Sequence, residues 1–272
     1  MPSYRPLHPL LTALAFATFA SVAPPSLARG GTCGAATAPA APLSAQEKAE
    51  GWTMLWDGTS TGAWRGAKSE QFPQHGWRNC DGVLTVMGKG GEESRGGGDI
   101  ITRARYADFE LELEVTLTPA ANSGVKIFTQ PNLTPIDRKT GKPAAVGSAI
   151  GMEFQVLDDE RHPDAKLGRD GNRTIGSLYD LIAARADKSA AAVGQWNHVR
   201  ILSKGKHVTF WLNGRRTVEF ERGSAAFRAA VAASKFRDID GFGEWNDGHI
   251  LLQDHGDQVG FRRILIRDLR GK

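Results

Sequence analysis

The sequence predicts an all-β protein, a β-sandwich or jelly roll built from antiparallel sheets. Several stretches alternate apolar and polar residues with period two. The connections between them draw on 32 glycines, and one segment alone, 224–235, reads as a short helix. At the N-terminus, Arg5 and His8 precede the apolar run from Leu10 to Ala20, and small-residue sites follow at Ser21-Val22-Ala23 and Ser26-Leu27-Ala28. A basic start, an apolar stretch too short to span a bilayer and a small-x-Ala exit form a secretory signal peptide. It is expected over residues 1–28, which makes the protein secreted or periplasmic. A lipoprotein is less in keeping with Gly30-Gly31-Thr32, which lacks the apolar residue expected before Cys33.

Residues 29–45 are mostly Gly, Ala and Pro and read as a disordered leader, because such a tract buries too little surface to offset its chain entropy. The remaining residues, 46–272, fit one all-β domain. Cleavage after Ala28 removes only Arg5, leaving 34 − 1 = 33 basic against 30 acidic residues, a balance of +3. That charge is too mild and too evenly spread for nucleic-acid binding. No later segment is long and apolar enough to be a transmembrane span. The two cysteines, Cys33 and Cys80, either form one disulfide or, since Cys33 falls in the leader, leave Cys80 unpaired.

Within the domain, "DFELELEVTL" puts Phe109, Leu111, Leu113, Val115 and Leu117 on one face and Glu110, Glu112, Glu114 and Thr116 on the other. This is a half-buried antiparallel strand whose acidic face is expected to be solvated. "GVLTVMG", "SGVKIFTQ", "GMEFQVLD", "NHVRILSKG", "HVTFWLNGR", "RTVEFERG" and "FRRILIRDL" supply further strands. Asn213-Gly214 marks a tight hairpin, because both residue types tolerate positive φ. Residues 131–149 form a long loop of the sort that often serves a site. The glycine-rich stretch 88–99 lacks the Gly-Lys-Ser/Thr ending of a phosphate loop and opens no helix.

Three stretches carry candidate chemistry. In "IGMEFQVLDD", Ile150, Met152, Phe154 and Val156 face one way, Glu153 and Gln155 the other, and Asp158 stands at the strand's end. A mid-strand carboxylate among bulky apolar neighbours suits proton transfer, although a merely exposed face explains the same alternation. In "ANSGVKIF", Asn122 and Ser123 precede Gly124 at a strand start, although Asn-Ser-Gly also has turn chemistry. Lys126 projects opposite Val125 and Ile127, placed either on the surface or where it pairs with Glu153 or holds an oxyanion. "LLQDHGDQV" presents Gln253 and His255 on one face and Asp254 on the other, and the imidazole suits proton movement near neutral pH. Seven tryptophans offer flat faces for sugar rings, or core packing.

The blocks "GWTMLWDGTSTGAW", "NSGVKIF", "GMEFQVLDD", "GQWNHVRILSKGKHVTFWLNG", "SKFRDIDGFG" and "GHILLQDHGDQVGFRRILIRDL" occur in the order found in the 3-keto-disaccharide hydrolase family, which this sequence resembles from about Gly51 to Leu269. One departure is Arg263, where the family's closing block usually has asparagine. The resemblance implies a concanavalin A-like jelly roll and a secreted or periplasmic hydrolase or lyase acting on a small carbohydrate, a 3-keto-disaccharide or 3-keto-glucoside. It implies site positions at Glu153, Gln155, Asp158, Asn122, Ser123, Gln253 and His255, and Tyr179 is added as a substrate-binding aromatic. A 3-keto group acidifies the hydrogen at C2, so cleavage by elimination and hydration needs a base, an enolate stabiliser and an acid. Glu153 or His255 is the expected base, Lys126 the stabiliser and Asp158 the acid. A divalent metal held by His255 and Glu153 is the alternative stabiliser. The competing reading is a non-catalytic carbohydrate-binding module, which would use aromatic platforms and amides and have no need of a Glu153–His255 pairing.

Overall fold

Among the described residues the protein forms two antiparallel sheets, one of eight strands and one of five. The computed structural model describes residues 41–91, 97–136, 140–144 and 147–271. The expected signal peptide, most of the leader and Cys33 lie outside the described residues. The chain order is α1 (Ala45–Ala49), β1 (Thr53–Trp56), β2 (Trp64–Gly66), β3 (Trp77–Cys80), β4 (Val83–Val86), β5 (Ile100–Thr102), β6 (Phe109–Leu117), β7 (Asn122–Gln130), β8 (Ile150–Leu157), β9 (Trp196–Lys204), β10 (His207–Leu212), β11 (Arg215–Glu221), α2 (Ala225–Ala232), β12 (His249–Leu252) and β13 (Val259–Asp268). The larger sheet runs β11-β10-β9-β6-β13-β4-β3, with β1 also on β13, and the smaller runs β2-β5-β12-β7-β8. Neighbours distant in sequence lie side by side, as in a jelly roll.

The two sheets are glued by the apolar sides of their alternating strands. Phe154 of β8 meets Phe210 of β10 with ring centroids 5.4 Å apart, and Phe109 of β6 meets Phe128 of β7 at 6.1 Å. Trp56 and Trp64 are fully buried, and their indole N–H groups donate to Gly82 O and Leu55 O. The β10–β11 hairpin turns at Asn213 (φ 50°) and Gly214 (φ 78°), as its sequence predicts.

The expected helix at 224–235 is α2, capped by the Ser224 side chain accepting from Phe227 N. A second helix, α1, is missed by composition. Ser44 and Glu47 form a reciprocal capping box. The acidic face of β6 is not simply solvated. Glu110 is buried and held by Arg200 and Arg267, Glu112 pairs with His198, and Glu114 pairs with Arg262. These partners come from β9 and β13, the two strands flanking β6. Cys80 is disulfide-bonded, so of the two expectations for it the unpaired thiol is set aside.

Candidate active site

The smaller sheet turns β7 and β8 so that their apolar side chains enter the core and the others face a cavity of about 390 Å³. The register sets Lys126 opposite Glu153 and Gly124 opposite Gln155. In such a pair, side chains on one face stand within reach of each other. Lys126 Nζ lies 3.8 Å from Glu153 Oε2, and both side chains are almost wholly buried. Asn122-Ser123-Gly124 is therefore the start of a strand rather than a turn. Its glycine has a packing reason: a Cβ there would sit 2.2 Å from Glu153 Oε1. The Glu153 carboxylate leans into the space Gly124 leaves empty.

The bend after β12 forms the next wall. Gln253 N donates to Gly124 O (3.0 Å), and Ser123 Oγ donates to Gln253 O (2.8 Å). Asp254 is fully buried and turned away from the cavity; Oδ2 accepts from Gly97 N and Gly98 N, and Oδ1 from Gly256 N. Asp257 accepts from Asn122 N at 3.0 Å. The two carboxylates of this bend tie loops together, which leaves Gln253 and His255 to face the cavity. His255 also meets the ring of His162, edge to face, at 6.3 Å between centroids. Burial lowers the His162 pKa, an effect that Asp257 partly offsets.

Two loops complete the enclosure. Pro135, Ile136, Ala144, Gly147, Ser148 and Ala149 come from the long 131–149 connection, and Lys235, Phe236, Asp238 and Ile239 follow α2. Tyr179 enters from the segment between β8 and β9. Its hydroxyl donates to Asp164 Oδ2 (2.9 Å), and the Lys235 ammonium stands 4.3 Å from its ring centroid. Burial, then the charges of Asp164 and Glu153, push the phenol far above its ordinary pKa, so it stays protonated. Asn122 Oδ1, Gln155 Oε1 and His255 Nδ1, on three of the lining residues, are buried and make no hydrogen bond among the described residues.

Of the residues expected from the sequence, Glu153, Lys126, Gln155, Asn122, Gln253, His255 and Tyr179 converge on the cavity. Ser123 and Asp158 do not line it. The Ser123 hydroxyl is spent on Gln253 O. Asp158 accepts from Ala120 N (2.8 Å) and Glu160 N (3.2 Å) and pairs with Arg161 (3.3 Å). Sequence reasoning missed Ser148, Lys235, Phe236, Asp238 and Ile239. The one signal for the last four was the block "SKFRDIDGFG", quoted for its resemblance but given no role. None of the seven tryptophans lines the cavity. Trp52, Trp196 and Trp211 instead stack on Arg267, Arg262 and Arg200 of the larger sheet. Among the described residues no group of three or more His, Cys, Asp or Glu is arranged to hold a metal ion, and Glu153 already faces an ammonium.

An antiparallel β-sandwich whose cavity is lined by a carboxylate, a lysine and amides has the polar make-up of a site for a carbohydrate. The model of the 3-keto-alpha-glucoside-1,2-lyase-like domain matches residues 51–267, and the chain belongs to that family. A 3-keto-disaccharide hydrolase of Bacteroides thetaiotaomicron is 33% identical over 233 residues, covering 81% of this chain and 79% of the relative. The crystal structure of a candidate glycosyl hydrolase from Parabacteroides distasonis superposes with a TM-score of 0.68 at 26% identity, covering 84% of this chain and 98% of the other. A second such protein from the same organism reaches a TM-score of 0.56 at 26% identity, covering 80% and 99%.

Proposed function

We propose that the protein is a hydrolase of 3-keto-glycosides that cleaves by elimination followed by hydration. The observation that carries this is the Glu153–Lys126 pair, a base and a cation held side by side by strand register. Glu153 removes the C2 proton, and the electron pair forms an enolate whose negative oxygen is the former 3-keto oxygen. As the ketone re-forms, C1–C2 becomes a double bond and the C1–oxygen bond breaks, releasing the aglycone. Water then adds its hydroxyl at C1 and a proton returns to C2, giving the free 3-keto-sugar.

Glu153→Gln keeps the shape that Gly124 accommodates but cannot take a proton. Loss of a general base costs about 10²–10⁴-fold in kcat. We expect that loss with substrate affinity retained, read with a 3-keto-glucoside beside its unoxidised parent, with and without EDTA. Release from both sugars alike, or full activity in the variant, would overturn the reading. The secreted or periplasmic location and the 46–272 domain boundary belong to the same proposal. N-terminal sequencing of protein recovered from outside the cytoplasm tests them, with a start after Ala28 expected. No helix among the described residues is long and apolar enough to cross a membrane.

A further inference from the structure

Elimination requires a proton for the leaving oxygen, and Asp158, the carboxyl expected to supply it, does not line the cavity. The cluster behind Lys126 offers another source. Lys126 Nζ donates to Ser148 Oγ and to Ala149 O (3.2 Å). Ser148 Oγ in turn donates its own proton to Asp99 Oδ2. Asp99 is buried, and its carboxylate also accepts from Ala149 N (3.2 Å) and Asp254 N (3.0 Å). It is thereby fixed to the end of the long loop and to the bend after β12.

Donor counting gives this arrangement a direction. The serine proton is committed to Asp99, so Ser148 Oγ can only accept from Lys126, and a backbone carbonyl can only accept. Two of the three ammonium hydrogens are thus held by protein acceptors. The third is left for Glu153 and the cavity that Lys126 lines, and Glu153 Oε2 at 3.8 Å is too far for a direct hydrogen bond. Loss of that one proton leaves the other two hydrogen bonds unchanged, so the nitrogen gives it up and regains it without moving.

We infer that Lys126 is the catalytic acid for the departing glycosidic oxygen and that Ser148 and Asp99 are positioning residues which aim its free N–H. This rests on the 3-keto-glycoside reading above. The protons balance. In elimination Glu153 gains the C2 proton and Lys126 gives one to the leaving oxygen, so the buried ion pair becomes a neutral acid and amine. In hydration the amine takes a proton from water as its oxygen bonds to C1, and Glu153 returns its proton to C2. The net change is addition of one water, with both side chains restored.

An acid matters in proportion to the basicity of the group that leaves. For Ser148→Ala, kcat is expected to fall roughly tenfold or more on 3-keto-glucosides with alkyl or sugar aglycones. Nitrophenyl 3-keto-glucoside, whose aglycone departs unaided, should lose far less. Lys126→Met should show the same split, enlarged, and Asp99→Asn the same split at intermediate size. Equal losses on both substrate classes, or none on either, would overturn the inference while leaving the 3-keto reading intact. A wild-type protein inert on every 3-keto-glucoside would overturn that reading and the acid role with it. A second readout needs no turnover. In ligand-free protein the Lys126 Nζ hydrogens should give a slowly exchanging 15N signal in wild type that Ser148→Ala abolishes. A signal unchanged by Ser148→Ala would overturn the positioning role.

Discussion

Polar groups in this protein fall into two kinds, those consumed by the backbone and those left facing space. Asp158 and Glu153 lie five residues apart on one short stretch, and sequence alone offers both as carboxylates for chemistry. Their surroundings separate them. Burial by itself would raise the Asp158 carboxyl, but the Ala120 N–H, Arg161 and the Glu160 N–H outweigh it and hold the pKa below the usual value of 3.8. Ala120 has φ 60°, so this carboxylate pins a left-handed residue in the β6–β7 turn, where a side chain is disfavoured. Asp158→Ala is therefore expected to cost about 0.5–1.5 kcal/mol of stability, the net worth of an ordinary intramolecular hydrogen bond, with kcat changed only a few-fold. A folded-state pKa below the unfolded one gives stability that is present above 3.8 and lost as pH falls through the folded value. The wild-type advantage over the variant should thus shrink in acid. Loss of turnover with no change in melting temperature would return Asp158 to the chemistry.

At the scale of elements, alternation made the strands legible, while irregularities that depend on non-neighbours stayed hidden. β13 begins against β4, through Val259–Phe261, and continues against β1, through Ile264–Ile266. Between these partners the register with β6 shifts, and Arg263 adopts φ 50°. A bulge of this kind re-aims a strand, and asparagine tolerates that backbone region better than arginine. The asparagine that the resemblance leads one to expect here thus has a backbone explanation. Arg263→Asn should relieve roughly 1 kcal/mol of local strain. It also removes a partly exposed ion pair with Glu47, of a kind that contributes little at the surface. The expected outcome is a small rise in melting temperature with unchanged activity. A fall would show that the anchoring of α1 through Glu47 outweighs the strain at the bulge.

The whole molecule explains which parts of the site the sequence could and could not disclose. Glu153, Gln155 and Lys126 were legible because strand period alone assigns their face. Gln253 and His255 followed from the same period on either side of Asp254. Ser148, Lys235 and Asp238 were not legible, since loops have no period and reach the cavity only through tertiary packing. The buried state of Glu110 was hidden for a related reason: its arginine partners come from strands far away in sequence. Burial has a further consequence for the protein as a unit. His249, on β12 in the interior of the smaller sheet, is almost fully buried, and its Nδ1 lies 2.7 Å from Thr102 O. A carbonyl only accepts, so Nδ1 carries the proton. Burial lowers the pKa of His249, and likewise of His162, below the ordinary 6.5. Below that value the unfolded chain takes up protons that the native state refuses, so stability is full above it and declines as pH falls toward the folded values. The carboxyls with lowered pKa values, Asp158 and Glu112 among them, act only in stronger acid, below their ordinary 3.8 and 4.5. Melting temperature should therefore drop between pH 7.5 and 5.5, a window spanning the ordinary histidine value of about 6.5. His249→Asn should lower stability at the upper pH, because its amide reproduces the hydrogen bond to Thr102 incompletely, yet flatten the dependence by removing one titrating group. An unchanged slope in His249→Asn would show that other groups carry the acid sensitivity.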